Sequence, residues 1–154
     1  MDVSSSPFSE RLRLRACGLL IRDSAILLIK IHSPVINQLV WMPPGGEIKF
    51  GESLKKGVKR EFREEAKISV EVGDLLHVNE LMENLFHAVE CYFEVNHAEG
   101  KATLGSDPEL ETEEQLIEDL QWIPIKELRN IPFVPRDLIP ILEQWENRVG
   151  LNIS

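Results

Sequence analysis

The chain has 154 residues, 43% hydrophobic and 28% charged, proportions that exclude a disordered or fibrous protein and suit one domain with a core of its own. Seventeen lysines and arginines face 26 acids, a formal net charge of −9, which repels phosphate backbones and anionic lipid and argues against polymeric nucleic acid or a membrane as partner. The two cysteines, Cys17 and Cys91, make no CxxC motif and no disulfide framework, so the expected setting is reducing and cytoplasmic.

Residues 1–10 (MDVSSSPFSE) read as a flexible tail without the basic start and apolar run of a signal peptide, and residues 11–150 as a single domain. Leu12–Ile21 and Ala25–Ile31 are β-rich runs on either side of Arg22-Asp23-Ser24, the pattern of a hairpin. Neither holds the roughly 20 apolar residues that span a bilayer. Ser33–Gln38 reads as a loop and Leu39–Met42 as a short strand stopped by Pro43-Pro44. A second loop runs from Gly45-Gly46 to Gly51. From Ser53, an N-cap residue, to about Ala66 the period is helical. Ile68–Val78 and Phe86–Val95 read as further strands, Asn96–Glu114 as an acidic loop, and Leu116–Ile123 as another strand. Pro124 opens a short helix to Leu128, and Arg136–Val149 forms a closing amphipathic helix. Many strands with few helices predict an α/β (α+β) sandwich around a mixed sheet.

The first helix departs from its own amphipathic pattern. At 100° per residue from Leu54, the side chains of Leu54, Val58, Phe62 and Ala66 form an apolar stripe at roughly 0°, 40°, 80° and 120°. Glu65 lands inside that stripe, near 20°, and Glu61 on its edge, near 340°, with Glu64 and Arg60 close by at roughly 280° and 240°. Gly57, near 300°, is expected to leave empty space where the carboxylates gather. The run REFREE (Arg60–Glu65) is by itself compatible with a solvated charged face. A buried, unpaired glutamate costs several kcal/mol (about 2–7 even for a neutral polar group), and glutamates three and four positions apart repel. A divalent cation removes both penalties, and clustered carboxylate oxygens suit Mg²⁺ or Mn²⁺.

Other motifs are excluded by their residues. Gly46–Ser53 has the glycine spacing of a P-loop, but Glu52 stands where that loop needs lysine. The stretch from Asp107 is no EF-hand, because Thr112 takes the place of the turn glycine. His32, His77, His87 and His97 form no HExxH, and no GxSxG is present.

Gly46–Ile68 as a whole resembles the Nudix box: Gly, five residues, Glu, seven residues, then Arg-Glu-hydrophobic-X-Glu-Glu-X-Gly-hydrophobic. Here these positions are Gly46, Glu52, Arg60, Glu61, Phe62, Glu64, Glu65 and Ile68. The preceding Trp41-Met42-Pro43-Pro44-Gly45 and the later Trp122-Ile123-Pro124 with Glu127-Leu128 also resemble the family. Lys67 replaces the second glycine of the box, which puts the left-handed helix exit in question at a cost of about 1 kcal/mol.

The resemblance implies a Nudix-like α/β/α sandwich and a metal-dependent pyrophosphohydrolase. Such an enzyme cleaves the diphosphate of a nucleoside diphosphate linked to another moiety, in an NTP, a nucleotide sugar or a dinucleotide. By the same resemblance Glu61, Glu64 and Glu65 bind Mg²⁺ or Mn²⁺ with the Gly45 carbonyl, Arg60 orients Glu61, and Gly46 and Glu52 brace the site. The general base is Glu61 or an acid from the stretch 107–119, with Glu114 and Glu118 as its candidates. Trp41, Phe86, His87 and Tyr92 are candidates for the substrate pocket, although strand aromatics commonly belong to the core; His32 is a candidate phosphate sensor or strand cap. Homodimerisation is compatible with the family. The competing readings are a catalytically silent nucleotide-binding sensor, against which the intact Arg60 and three glutamates argue, and an acidic interaction protein, which leaves Glu65 unexplained.

Overall fold

The computed structural model describes residues 7–33, 36–105 and 117–153. The chain forms β1 (Leu12–Arg22), β2 (Ala25–Ser33), β3 (Gln38–Met42), β4 (Gly45–Glu47), α1 (Leu54–Ala66), β5 (Ser69–Glu83), β6 (Phe86–Glu99) and β7 (Ile117–Pro124). A 3₁₀ segment (Ile125–Asn130) and α2 (Leu138–Ile153) follow. Among the described residues no helix is long and apolar enough to cross a membrane.

The strands follow the order β3-β2-β1-β6-β5, with β4 paired to β1 and β7 to β2. β1 and β6 are parallel, while the other ladders are antiparallel. Asp23 and Ser24 have φ of 52° and 61°, the positive values of a two-residue hairpin turn that follows the strand twist. Arg22 therefore pairs with Ala25 inside the ladder. β1 and β2 share only the pairs Ile21–Ile26 and Arg22–Ala25. Below them β1 turns to β4 through Arg15–Glu47, Ala16–Gly46 and Cys17–Gly45. Gly45–Glu47, expected as loop, is therefore a strand, because β1 supplies the ladder partners that its sequence could not announce.

Alternation along the strands builds a core on each face. Cys17, Leu19, Ile26, Leu28 and Tyr92 pack with Leu128, Phe133, Leu138 and Leu142 on one side. Ala16, Leu20, Leu27, Phe93 and Val95 meet Val58, Phe62 and Ala66 of α1 on the other. This is the expected sandwich around a mixed sheet. β5 and β6 run several residues beyond their expected ends, to Glu83 and from Phe86 to Glu99. Glu80, Glu83 and His87 interrupt the apolar pattern there, but mutual pairing satisfies the backbone regardless of side-chain polarity.

Ser53 caps α1 by accepting a hydrogen bond from the Lys56 N–H at 3.2 Å. At the other end Lys67 keeps the left-handed exit, with φ 57° and ψ 35°. Its N–H reaches the Arg63 carbonyl at 3.2 Å and that of Ile68 the Phe62 carbonyl at 3.5 Å, so lysine tolerates a conformation that glycine adopts without strain. Lys67→Gly is expected to stabilise the protein by about 0.5–1 kcal/mol after the greater freedom of unfolded glycine is deducted. That corresponds to a melting temperature higher by roughly 2–4 °C per kcal/mol in calorimetry. The expected space at Gly57 is filled: a Cβ there would stand 2.3 Å from Ile48 Cδ1 and 3.2 Å from Glu52 Oε1.

Candidate active site

Helix α1 buries Gly57, Val58, Glu61, Phe62, Glu65 and Ala66 together, so two glutamates share the packed face with the apolar stripe. Glu61 and Glu65 are only 3% and 4% exposed. Glu65 Oε1 accepts the Gly45 N–H at 2.9 Å, which ties the helix to β4. Gly46 lies equally close to Glu61, since a Cβ at Gly46 would come within 2.4 Å of Glu61 Oε1. Glycine at position 46 is what lets the chain and the carboxylate approach.

Arg60 organises the rest. Its Nε and Nη2 hold the two oxygens of Glu52 at 2.7 and 3.0 Å, a forked pair. Nη1 donates to Glu61 Oε1 at 2.8 Å and to Glu64 Oε2 at 3.3 Å, and Nη2 also reaches the Glu47 carbonyl at 3.2 Å. The Arg60 hydrogen bonds hold the Glu52 carboxyl below the usual carboxylate range, against an opposing effect of burial. Arg60 itself is raised, first by its hydrogen bond to Glu52. Nearby, burial pushes the Cys17 thiol up to about 12, so no thiolate nucleophile is at hand.

These residues meet a cavity of about 520 Å³, which opens where β1 and β2 part. Ile29, Ile31, Val40 and Met42 form an apolar wall. Arg13, Arg15, Asn79, Glu90 and Tyr92 form a polar one, and Gly45, Gly46, Glu61 and Glu65 also line the space. Glu61 and Glu65 thus sit at a substrate-sized space of mixed apolar and polar character.

Of the four aromatic candidates for the pocket, only Tyr92 lines this cavity. Trp41 is half-buried on β3, packed against the Phe133 side of the core, with Lys30 Nζ 5.8 Å from its ring. Phe86 is buried but lies away from the cavity, and His87, on the opposite face, contacts Glu80 Oε2 at 3.0 Å. Alternation along β6 turns His87 to the face opposite Glu90 and Tyr92, whereas Phe86 shares their face but lies four residues from Glu90, at the β5–β6 turn where it pairs with Glu83. His32 is exposed on β2. Glu118 is exposed at a bulge of β7 and does not line the cavity, although its neighbour Ile117 does. Glu114 lies outside the described residues.

Arg15, Asn79 and Glu90 did not stand out as site residues in the sequence. The signal available was the alternation Arg11-Leu12-Arg13-Leu14-Arg15, which marks one charged face at the start of an otherwise apolar strand.

The glutamates offer hard carboxylate oxygens. As they stand, no three His, Cys, Asp or Glu side chains among the described residues are gathered closely enough to hold an ion; Arg60 instead holds Glu61 and Glu64. One guanidinium charge is thus spread over the carboxylates of Glu52, Glu61 and Glu64, beside the buried Glu65. That excess of buried negative charge and the chemistry of the donors fit a divalent cation.

Comparison with known proteins agrees in fold and sequence. The profile of the NUDIX domain matches residues 11–144. "Nudix hydrolase 5" of Arabidopsis thaliana is 30% identical over 113 residues, 73% of this chain and 36% of that protein, so the match spans about a third of that relative's length. A MutT NUDIX hydrolase from Burkholderia pseudomallei is 27% identical with a TM-score of 0.64, over 76% of this chain and 86% of that one. The MutT protein from Methanosarcina mazei Go1, at 19% identity, shares the fold with a TM-score of 0.70 over 90% and 96% of the two chains.

Proposed function

The chain belongs to the NUDIX domain family, and on that premise we propose that it is a metal-dependent pyrophosphohydrolase cleaving the diphosphate of a nucleoside diphosphate linked to another moiety. The observation that carries this reading is the pairing of buried Glu61 and Glu65, braced by Arg60 and by the Gly45 N–H, at a cavity of nucleoside size.

Glu61, Glu64 and Glu65, with the Gly45 carbonyl, would hold Mg²⁺ or Mn²⁺. Such an ion, when bound, neutralises the diphosphate, polarises phosphorus and lowers the pKa of water. The protein's own groups have separate tasks. Glu52 fixes the guanidinium fork of Arg60, and Arg60 fixes the rotamer of Glu61. Gly45 fixes Glu65. Glu61 accepts a proton from the attacking water at a carboxylate oxygen as the P–O anhydride bond breaks. The apolar wall of Ile29, Ile31, Val40 and Met42 packs the nucleoside portion and excludes water from it.

The test is release of phosphate and nucleotide from NTPs, nucleotide sugars and dinucleotides with Mn²⁺, Mg²⁺ or EDTA, beside Glu65→Gln. Turnover that requires metal and falls at least about tenfold to a hundredfold in the variant supports the assignment. Absence of turnover with nucleotide still bound would replace it with a sensor.

A further inference from the structure

Three arginines alternate along one face where the central strand begins: Arg11, just before β1, and Arg13 and Arg15 on it. Arg11 grips both oxygens of Glu47 through Nη1 and Nη2. Arg15 Nη1 donates to Glu90, which also accepts from Asn79 Nδ2 at 3.0 Å and from the Tyr92 hydroxyl at 3.3 Å. Arg13 has only its Nε on Glu47 Oε2, a long contact of 3.4 Å to an oxygen that Arg11 already holds. Three guanidinium charges thus share two carboxylates, and the charge left over is that of Arg13.

That charge is poorly compensated. The Arg13 side chain is only 13% exposed, and burying a charge without a full partner is costly. Burial, and then the like charge of Arg15, lower the pKa of Arg13, whereas those of Arg11 and Arg15 are raised. Of the other acids that line the cavity away from α1, Glu80 contacts His87, and Glu83 and Asp137 are exposed. Among the described residues none of them pairs with Arg13.

The surroundings of this guanidinium show what would complete it. Phe8 covers one of its faces, with the ring centroid 4.4 Å from Cζ, and Glu47 takes the Nε edge. The remaining edge carries the N–H donors of Nη1 and Nη2, which meet no acceptor among the described residues. Arg13 and Phe8 both line the cavity. A flat edge of paired N–H donors matches the paired oxygens of a phosphate or a carboxylate. The position of Arg13 separates it from the carboxylates of α1. Gly46, which lies against Glu61, pairs with Ala16, three residues along β1 from Arg13, or roughly 10 Å at the rise of a strand.

Resting on the hydrolase reading above, we propose that Arg13 is a specificity-determining residue that binds a second anionic group of the substrate, remote from the diphosphate that is cleaved. The group is a phosphate monoester or a carboxylate on the far moiety, since both present the paired oxygens that this edge grips.

The experiment uses pairs of compounds that differ by that one group, each with Mn²⁺: NADPH and NADH, coenzyme A and dephospho-coenzyme A, UDP-glucuronate and UDP-glucose. The first two pairs test a phosphate monoester and the third a carboxylate. Wild type is expected to favour the more anionic member of at least one pair by about tenfold or more in kcat/KM. Arg13→Gln should bring that ratio to within about threefold of unity, through KM rather than kcat. Arg13→Lys should keep a reduced preference, because it retains the charge without the fork. If Arg13→Gln fails to fold, that reduction must appear in Arg13→Lys. An equal loss on both members of each pair in Arg13→Gln, or a wild type without preference in any pair, overturns the proposal and leaves the hydrolase reading in place. If wild type turns over none of these compounds, the wider nucleotide panel decides the hydrolase reading separately. Calorimetric affinities for the same pairs then decide the proposal: an advantage of the anionic member that Arg13→Gln removes supports it, and equal affinities or no binding overturn it.

Discussion

Glu61→Gln is expected to lower kcat by about 10²–10⁴-fold while the melting temperature stays close to wild type. Glutamine has nearly the same shape, and its amide oxygen can still accept from Arg60 Nη1, which now reaches Glu61 Oε1 at 2.8 Å. The lost property is the charge, which both a proton acceptor and a cation ligand require. A companion substitution separates charge from position. In Gly46→Ala the new Cβ would press within 2.4 Å of Glu61 Oε1, so the charge remains while its placement shifts. Both variants should be poor enzymes. Full activity in Glu61→Gln would move the proton acceptor to the stretch 107–119, where Glu114 and Glu118 are the residues to replace next.

Arg60→Ala is expected to have the largest effect on stability, a loss of about 3–5 kcal/mol, because it removes the cationic partner of buried carboxylates. The guanidinium is 15% exposed and Glu61 4%, so solvent offers little compensation. Adding Mn²⁺ or Mg²⁺ should recover part of the lost melting temperature in this variant, as a bound cation stabilises the folded state by mass action. Arg60→Lys keeps the charge but loses the fork that grips Glu52 through two nitrogens. It should fold and lose about 10–100-fold in activity. The pH dependence follows from Glu52. Its folded carboxyl titrates below the ordinary value of 4.5, so the Arg60 pair stabilises the fold above that value. The stabilisation disappears as pH falls through the lowered one. Acid unfolding of Glu52→Gln, followed by circular dichroism between about pH 6 and 2, should lack this component. An unchanged acid limb would mean that other carboxylates set it.

The secondary structure was readable wherever a single period governs. The apolar positions of α1 and its Ser53 cap placed the helix at Leu54–Ala66 to within a residue, and the Asp23-Ser24 turn was evident between two β-rich runs. β4 was not, because three residues of Gly-Gly-Glu have no strand tendency of their own and become a strand only beside Arg15, Ala16 and Cys17. That Trp41 and His87 do not line the cavity has a related reason. Aromatic character and strand position are local properties, whereas the face a residue presents depends on the register with neighbouring strands. A shift of one residue exchanges cavity for surface.

The same division separates the two halves of the site. Glu64 and Glu65 lie about one helical turn from Glu61, so the 3.6-residue period alone brings both beside it, with Arg60 adjacent. Only Gly46, from β4, and Glu52, from the segment before the helix, had to come from elsewhere in the chain. The sequence by itself determined this half, including the conflict of placing Glu65 in an apolar stripe, which packing answered with the Gly45 N–H. Glu90 on β6 lies 75 residues from Arg15 and 11 from Asn79, on the strands to either side. No local period relates them, and the alternation Arg11-Arg13-Arg15 marked a face without naming its partner. Only the parallel ladder of β1 with β6 and the antiparallel ladder of β6 with β5 decided that one buried carboxylate would hold all three positions together. Long-range pairing sets that register, and no local sequence pattern carries it.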